Sequence, residues 1–246
     1  MKAGSGRPAM TTLTCTECGF DGTRWSDGDL ERTLAHADDL IGFVLEGAAA
    51  EFVVDAAAEP IVVADDPVVS AHAVMHRLDD LAAARRAAHE FEPMVGRVES
   101  LQTSGGGVAK ASILVAEIDV DGVGGDVQGN RRHHGRPWQA VCLYSSELIE
   151  SLRSEGHPIT AGGTGENITI SGVDWSRMRG GLTITIGDIE LRTSSPAAPC
   201  SKIGGCFTDR HWKRIDHVQR PGWSRWYASV RTGGAVAPGD VVTITA

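Results

Sequence analysis

Three short stretches of this 246-residue chain hold the residue types that do chemistry. "GNRRHHGRPW", residues 129–138, crowds Arg131, Arg132, His133, His134 and Arg136 between glycines. Guanidinium forks bind phosphate oxygens in pairs, and nearby glycines let backbone N–H groups reach the same anion. A solvated basic loop has the same composition, so both readings stand. "AGGTGENITI", residues 161–170, sets Gly162, Gly163 and Gly165 among Thr164, Glu166 and Asn167. Such a loop offers backbone donors, a hydroxyl, a carboxylate and an amide, which together suit a heterocycle with several hydrogen-bonding edges. It lacks the Lys-Ser/Thr ending of a nucleotide-triphosphate loop, and a plain glycine turn would look alike.

The third stretch, "TSSPAAPCSKIGGCF", residues 193–207, puts Cys200 after Pro199 and two residues before Lys202. Proline restricts itself and its predecessor, so the thiol points in a fixed direction. A neighbouring lysine favours the thiolate, the form that binds soft metals and carries sulfur. Burial as a small hydrophobe is the alternative, and it suits Cys142, between Val141 and Leu143, better than Cys200. Cys206 is either a partner for a reversible disulfide with Cys200 or a buried thiol. Five cysteines at uneven spacing fit free thiols in a reducing compartment rather than a disulfide framework.

Other chemistries find less support. Cys15 and Cys18 form one C-x-x-C without a second, too few ligands for a zinc site. His72 and His76 stand four apart on a helical pattern, where core or surface histidines are commoner than ligands. No G-x-S-x-G elbow occurs.

The elements that must position these residues fall into two textures. Residues 1–100 carry 18 acidic and 8 basic side chains, the remainder 14 and 15, within a net charge of −9. That asymmetry predicts two domains, 1–95 and 96–246, and neither is basic enough to make nucleic acid the main partner. The first reads as helical. Ser26 caps a run with Leu30, Leu34, Ile41, Val44 and Leu45 at helical spacing, and "DPVVSAHAVMHRLDDLAAARRAAHEFE" puts Val74, Leu78, Leu81 and Ala88 on one face. From residue 96, short β-rich runs separated by glycine dominate: "ASILVAEIDV", "QAVCLYS", "ENITISG", "GLTITIGDIELRT" and "GDVVTITA". This is the rhythm of a barrel or sandwich, with Gly187-Asp188 turning a hairpin. One helix interrupts, "SSELIESLRSEG", capped by Ser145 or Ser146 and stopped at Gly156. No apolar run is long enough to cross a bilayer, and no secretory signal opens the chain, so a cytoplasmic enzyme or binding protein is expected.

In order, "RRHHGRPWQAVCLYS", "GHPITAGGTGENITISGVDW", "GGLTITIGDIELRTSSPAAPC" and "GDVVTI" resemble the MOSC domain, the molybdenum-cofactor sulfurase C-terminal family, over residues 129–242. "SGGGVAKASI", residues 104–113, is similar to the opening strand of these domains. The resemblance implies an α+β fold, a mostly-β MOSC-type barrel with a small N-terminal helical domain, and a molybdopterin cofactor. It makes Cys200 the functional thiol, a molybdenum ligand in a reductase or a sulfur carrier in a sulfurase. It makes Arg131, Arg132, His133, His134, Gly165, Glu166, Asn167 and Lys202 elements of the cofactor pocket. "GRPW" departs from the family pattern, where a second glycine and an acidic residue flank the proline, so Arg136 and Trp138 leave specificity open. "CTECGFDG" and "SAHAVMHRLDDL" resemble the DinB-like helical family, in a shortened form without its histidine triad.

The function this implies is reduction of small N-hydroxylated compounds by a molybdenum-dependent oxidoreductase. With no flavin, haem or iron–sulfur motif in the chain, its electrons would come from a separate donor protein. Sulfur transfer through a Cys200 persulfide, and cofactor binding without turnover, are the alternatives.

Overall fold

A ring of seven strands closes on itself in the computed structural model, which describes residues 14–15, 20–21, 67–89, 91–129 and 134–246. The elements are, in order, a short hairpin of β1 (Thr14–Cys15) and β2 (Phe20–Asp21), helix α1 (Pro67–Ala88), β3 (Met94–Thr103), β4 (Ala111–Ile113), β5 (Ala116–Asp119) and β6 (Gly122–Val123). A single 3-10 turn at Pro137–Gln139 leads into β7 (Val141–Ser145), helix α2 (Ser146–Ser154) and β8 (Ile168–Ser171). The chain ends with β9 (Thr183–Ile186), β10 (Ile189–Pro196), β11 (Trp226–Thr232), β12 (Gly234–Val236) and β13 (Val241–Thr245).

The barrel order is β13-β9-β10-β11-β7-β8-β3, with β3 pairing back onto β13 and β4 added outside β3. Closure leaves no open edge within the ring. Alternation does the inward work: in β3, Met94 and Val98 are buried while Val95, Arg97 and Glu99 are exposed. Val98, Leu101, Leu143, Ile168, Ile170, Ile184, Ile186, Leu191, Val242 and Ile244 fill the interior. At Gly96 an added Cβ would lie 2.2 Å from the Ser171 carbonyl, so the β3–β8 approach requires glycine.

One pairing matters for the site. β7 and β8 are parallel, Leu143 opposite Ile168, and the crossover between them includes α2. Ser145 caps α2 by accepting from the Leu148 N–H at 3.3 Å, and Gly156 follows with φ of 89°. A parallel pair has both N-terminal ends at the same place, so the loops leading into β7 and β8 are brought side by side.

The structure bears out the mostly-β barrel and the helix over Val74, Leu78 and Leu81, all buried. The run "ASILVAEIDV" divides into β4 and β5 around exposed Leu114 and Val115. Residues 104–110, read as part of the opening strand, are a glycine loop; the strand that opens the barrel is β3. β3 begins at Met94, just before the change of texture at 96. α1 packs on the barrel: the Arg85 Nε–H donates to the Gly180 carbonyl at 2.8 Å, and Asp79 pairs with Arg231 at 2.9 Å and Arg192 at 3.3 Å. The capped run starting at Ser26 lies outside the described residues, as does the rest of the helical reading before residue 67.

Candidate functional site

Six segments line one cavity of about 410 Å³: the loop after β3, the two stretches before β7, the loop before β8, the segment after β10, and the start of β11. Its size is within the usual range for a small-molecule site. Cys200 and Lys202 enter from the β10 side, Gly165 and Asn167 from the β8 side, and His134 from the stretch before β7. Five residues singled out in the sequence therefore share one wall. Cys200 is exposed, at the head of the 3-10 turn Ser201–Cys206, and is not sealed in the core. Arg131, Arg132 and His133 lie outside the described residues.

Glu166 takes a different position from the one its loop suggested. It is fully buried, accepting from the Gly162 N–H at 2.6 Å and from the Thr164 hydroxyl at 2.7 Å. It braces the glycine loop from behind the cavity wall. Asn167 lines the cavity and also ties it together: its Oδ1 accepts from the Cys142 N–H at 3.1 Å, and its Nδ2 donates to Asp126 at 3.0 Å. Asp126 also pairs with Lys110 at 2.5 Å and accepts from the Ser104 N–H at 2.8 Å. This one carboxylate joins three of the lining segments, and it offsets the Lys110 charge. Arg136 is buried, and desolvation lowers its pKa.

The residue that sequence reasoning missed is Arg225. It is 6% exposed and lines the cavity. One of its terminal nitrogens donates to the Thr164 carbonyl and the other to the Ala197 and Ala198 carbonyls at 3.5 Å, while Nε has no partner. No carboxylate lies within ion-pair distance of it among the described residues. Burial disfavours its charge, yet the nearby buried Glu166 carboxylate is among the groups that favour it, and the Arg225 pKa is raised rather than lowered. Arg225 gave no signal because it stands alone in "GWSRWYAS", with neither a basic neighbour nor an adjacent glycine. The triple glycine at 105–107 did carry one: three consecutive glycines break a strand. These glycines and Gly129 face the cavity, and a Cβ at Gly105 or Gly107 would meet nothing within 4 Å. Backbone there is open to a ligand.

The thiols differ in setting. Cys142 lines the cavity but is 5% exposed, and desolvation pushes its pKa to about 11. Cys206 is buried with its thiol directed at the Gly163 carbonyl at 3.1 Å, and desolvation again raises its pKa. Cys142, Cys200 and Cys206 are all free thiols. The Tyr227 hydroxyl lies 3.0 Å from His134 Nδ1, and its pKa too is raised by desolvation. Among the described residues no cluster of three His, Cys, Asp or Glu side chains is placed to hold a metal ion. None of their helices is long and apolar enough to cross a membrane.

Chemically, the cavity joins an exposed thiol, a buried guanidinium without an ion-pair partner among the described residues, Lys202 and His134 with glycine-rich backbone. Such a set can hold an anionic ligand with a thiol in reach. Comparisons with known proteins agree with this architecture. The chain is 28% identical over 134 residues to the uncharacterized protein YflK of Bacillus subtilis, and 27% identical over 139 residues to the protein YiiM of Escherichia coli. These matches take in 53% and 52% of this chain and 58% and 59% of those relatives, so it spans well under two thirds of their length. The crystal structure of the YUAD protein from Bacillus subtilis has the same fold, with a TM-score of 0.53 at 18% identity, over 62% of this chain and 97% of that one. Residues 130–243, from the basic stretch to β13, match the MOSC domain family.

Proposed function

We propose that the cavity binds the molybdenum cofactor, and that the protein is a molybdenum-dependent oxidoreductase acting on small N-hydroxylated compounds. MOSC domains are associated with this cofactor. The observation that carries the reading is Arg225, a buried charge on the cavity wall with no carboxylate within ion-pair distance among the described residues. A phosphate would supply the missing counter-charge, with Lys202 and His134 beside it. The open backbone at Gly105 and Gly107 suits a flat ring approaching closely. The cofactor's terminal phosphate and polar pterin match both features.

When bound, the cofactor would supply two-electron oxygen-atom chemistry at molybdenum. The chain's own part is positional. Cys200 would present a thiolate to the metal from the stiff Pro199–Cys200 hinge. Arg225 and Lys202 would hold the phosphate, with Arg131, Arg132 and His133 as further candidates. Asp126 and Glu166 would keep the loops in place, and His134 with Tyr227 would hold a proton at the cavity wall. Electrons would come from a separate donor protein. The exposure of Cys200 also supports a second reading, in which its sulfur carries a persulfide for delivery to a metal centre.

The test is molybdenum analysis together with N-hydroxylamine reduction in wild type and Cys200→Ser. Loss of turnover in the variant is expected; full turnover with molybdenum retained would refute the ligand role. An added sulfur on Cys200 after treatment with polysulfide, which transfers sulfane sulfur to a thiolate, with no molybdenum in reconstituted wild type, would favour the second reading.

A further inference from the structure

Gln139 is the last residue of the Pro137–Gln139 turn and forms part of the cavity wall. The turn is held firmly. Pro137 fixes its first dihedral, Trp138 is fully buried, and the Ser194 hydroxyl donates to the Trp138 carbonyl at 2.5 Å. The Gln139 N–H donates to the Arg136 carbonyl at 2.7 Å, closing the turn. The side chain is only 7% exposed, yet its Oε1 has no hydrogen-bond partner.

An unsatisfied buried acceptor costs about 1–3 kcal/mol. Several neighbouring polar groups of the wall are already engaged. Asn167 bonds Cys142 and Asp126, Lys110 pairs with Asp126, and Tyr227 bonds His134. Arg225 has a spare Nε, but that is a cationic donor suited to an anion. Gln139 instead offers a neutral acceptor and donor side by side in one plane. Such a carboxamide pairs with a ring edge that presents an N–H beside an acceptor, as glutamine does with base edges.

Resting on the cofactor reading above, we propose that Gln139 is a specificity-determining residue that selects a flat nitrogen heterocycle by pairing with the lactam or amidine edge of its ring. Phosphate recognition at Arg225 and ring recognition at Gln139 are then separate functions of one cavity. A ligand whose ring N–H is blocked leaves the Gln139 oxygen unpaired and is rejected.

The test uses full-length protein from a host unable to make molybdopterin, with pterin and its ring-N-methylated form, 3-methylpterin, as probes. Binding is followed by probe fluorescence polarisation, and pyrophosphate binding is measured alongside by its effect on the melting temperature. Wild type should prefer pterin by about tenfold, the low end of what one unpaired group costs. Gln139→Met should bring the two rings within about twofold, and Gln139→Glu, which keeps an acceptor for the ring N–H, should retain the preference. Pyrophosphate binding should be the same in wild type and Gln139→Met. Absence of a preference in wild type, or its persistence in Gln139→Met, would overturn the proposal. If pyrophosphate binds and neither ring does, the Gln139 assignment fails while the anion reading stands. If neither pyrophosphate nor ring binds, the cofactor reading itself fails and takes this one with it. Should Gln139→Met not fold, the wild-type ratio and the Gln139→Glu ratio decide.

Discussion

Beneath α1, Arg192 and Arg231 have side chains 7% and 5% exposed, and both reach Asp79, with Glu190 a further 3.1 Å partner for Arg192. At the cavity, Arg225 is equally buried and meets only backbone carbonyls. The residue type and the burial are the same, and only the matching differs. Arg231 also donates to the Met75 carbonyl at 3.0 Å, so the first pair fastens the helix to the barrel. Arg225 has no ion-pair partner among the described residues, and the Glu166 carboxylate, beyond ion-pair distance, offsets its charge only in part. A buried charge without an ion-pair partner on a cavity wall marks a candidate ligand site.

The largest expected effect tests the matched side. Asp79→Ala leaves two buried guanidinium groups without their shared carboxylate and should cost about 3 kcal/mol in urea unfolding. A loss under about 0.5 kcal/mol would erase the contrast. Next come the thiols, which repeat the same division between engaged and available groups. With iodoacetamide at pH 8, Cys200 should alkylate at least ~100-fold faster than Cys142, whose pKa of about 11 leaves on the order of 0.1% thiolate. Peptide mass mapping of these cysteines reads this out, and comparable rates would show that the cavity is open to its floor.

A smaller effect belongs to the unmatched arginine. Arg225→Met removes a charge without an ion-pair partner along with three hydrogen bonds to carbonyls, so ligand-free stability should fall by only about 1 kcal/mol. Stabilisation by pyrophosphate should disappear. A loss larger than that of Asp79→Ala would make Arg225 a structural residue. The smallest effect is one of pH. Burial lowers the pKa of His217, which packs edge-on against Trp226 with ring centroids 5.9 Å apart. The folded state therefore favours the neutral ring, and its contribution is complete above pH 6.5. It declines as pH falls from there through the lowered folded value, because the unfolded chain binds the proton more readily. His217→Gln should flatten the stability profile below pH 6.5, with no change above it. Steepening would reverse the sign.

Much of this fold was legible in the chain because alternation and turn chemistry were local. The β9–β10 hairpin, the strand at Val141–Ser145 and the α2 cap are set by residues within a few positions of each other. β11 was not legible, since its first five residues are all buried and no period of two survives. The site divides along the same line. Cys200, Lys202, Gly165, Asn167 and His134 stood in unusual local contexts and do share a cavity. Glu166 stood in the same loop but turns inward to brace it, because its two acceptor bonds lie within four residues. Arg225, Asp126 and Gln139 matter through what surrounds them, or fails to, at positions distant in the chain, as in the Asp126–Asn167 and Arg225–Thr164 bonds. Local reading has no access to that.

The most direct measurement of the central claim is molybdenum content per chain, by elemental mass spectrometry, after reconstitution with the intact cofactor. Wild type and Arg225→Met are compared at equal folding. Wild type should hold close to one equivalent and Arg225→Met less than about a tenth of that, a difference of about 1.4 kcal/mol or more in binding. Equal molybdenum in both proteins, or none in wild type, would contradict a cavity built around an unanswered buried charge.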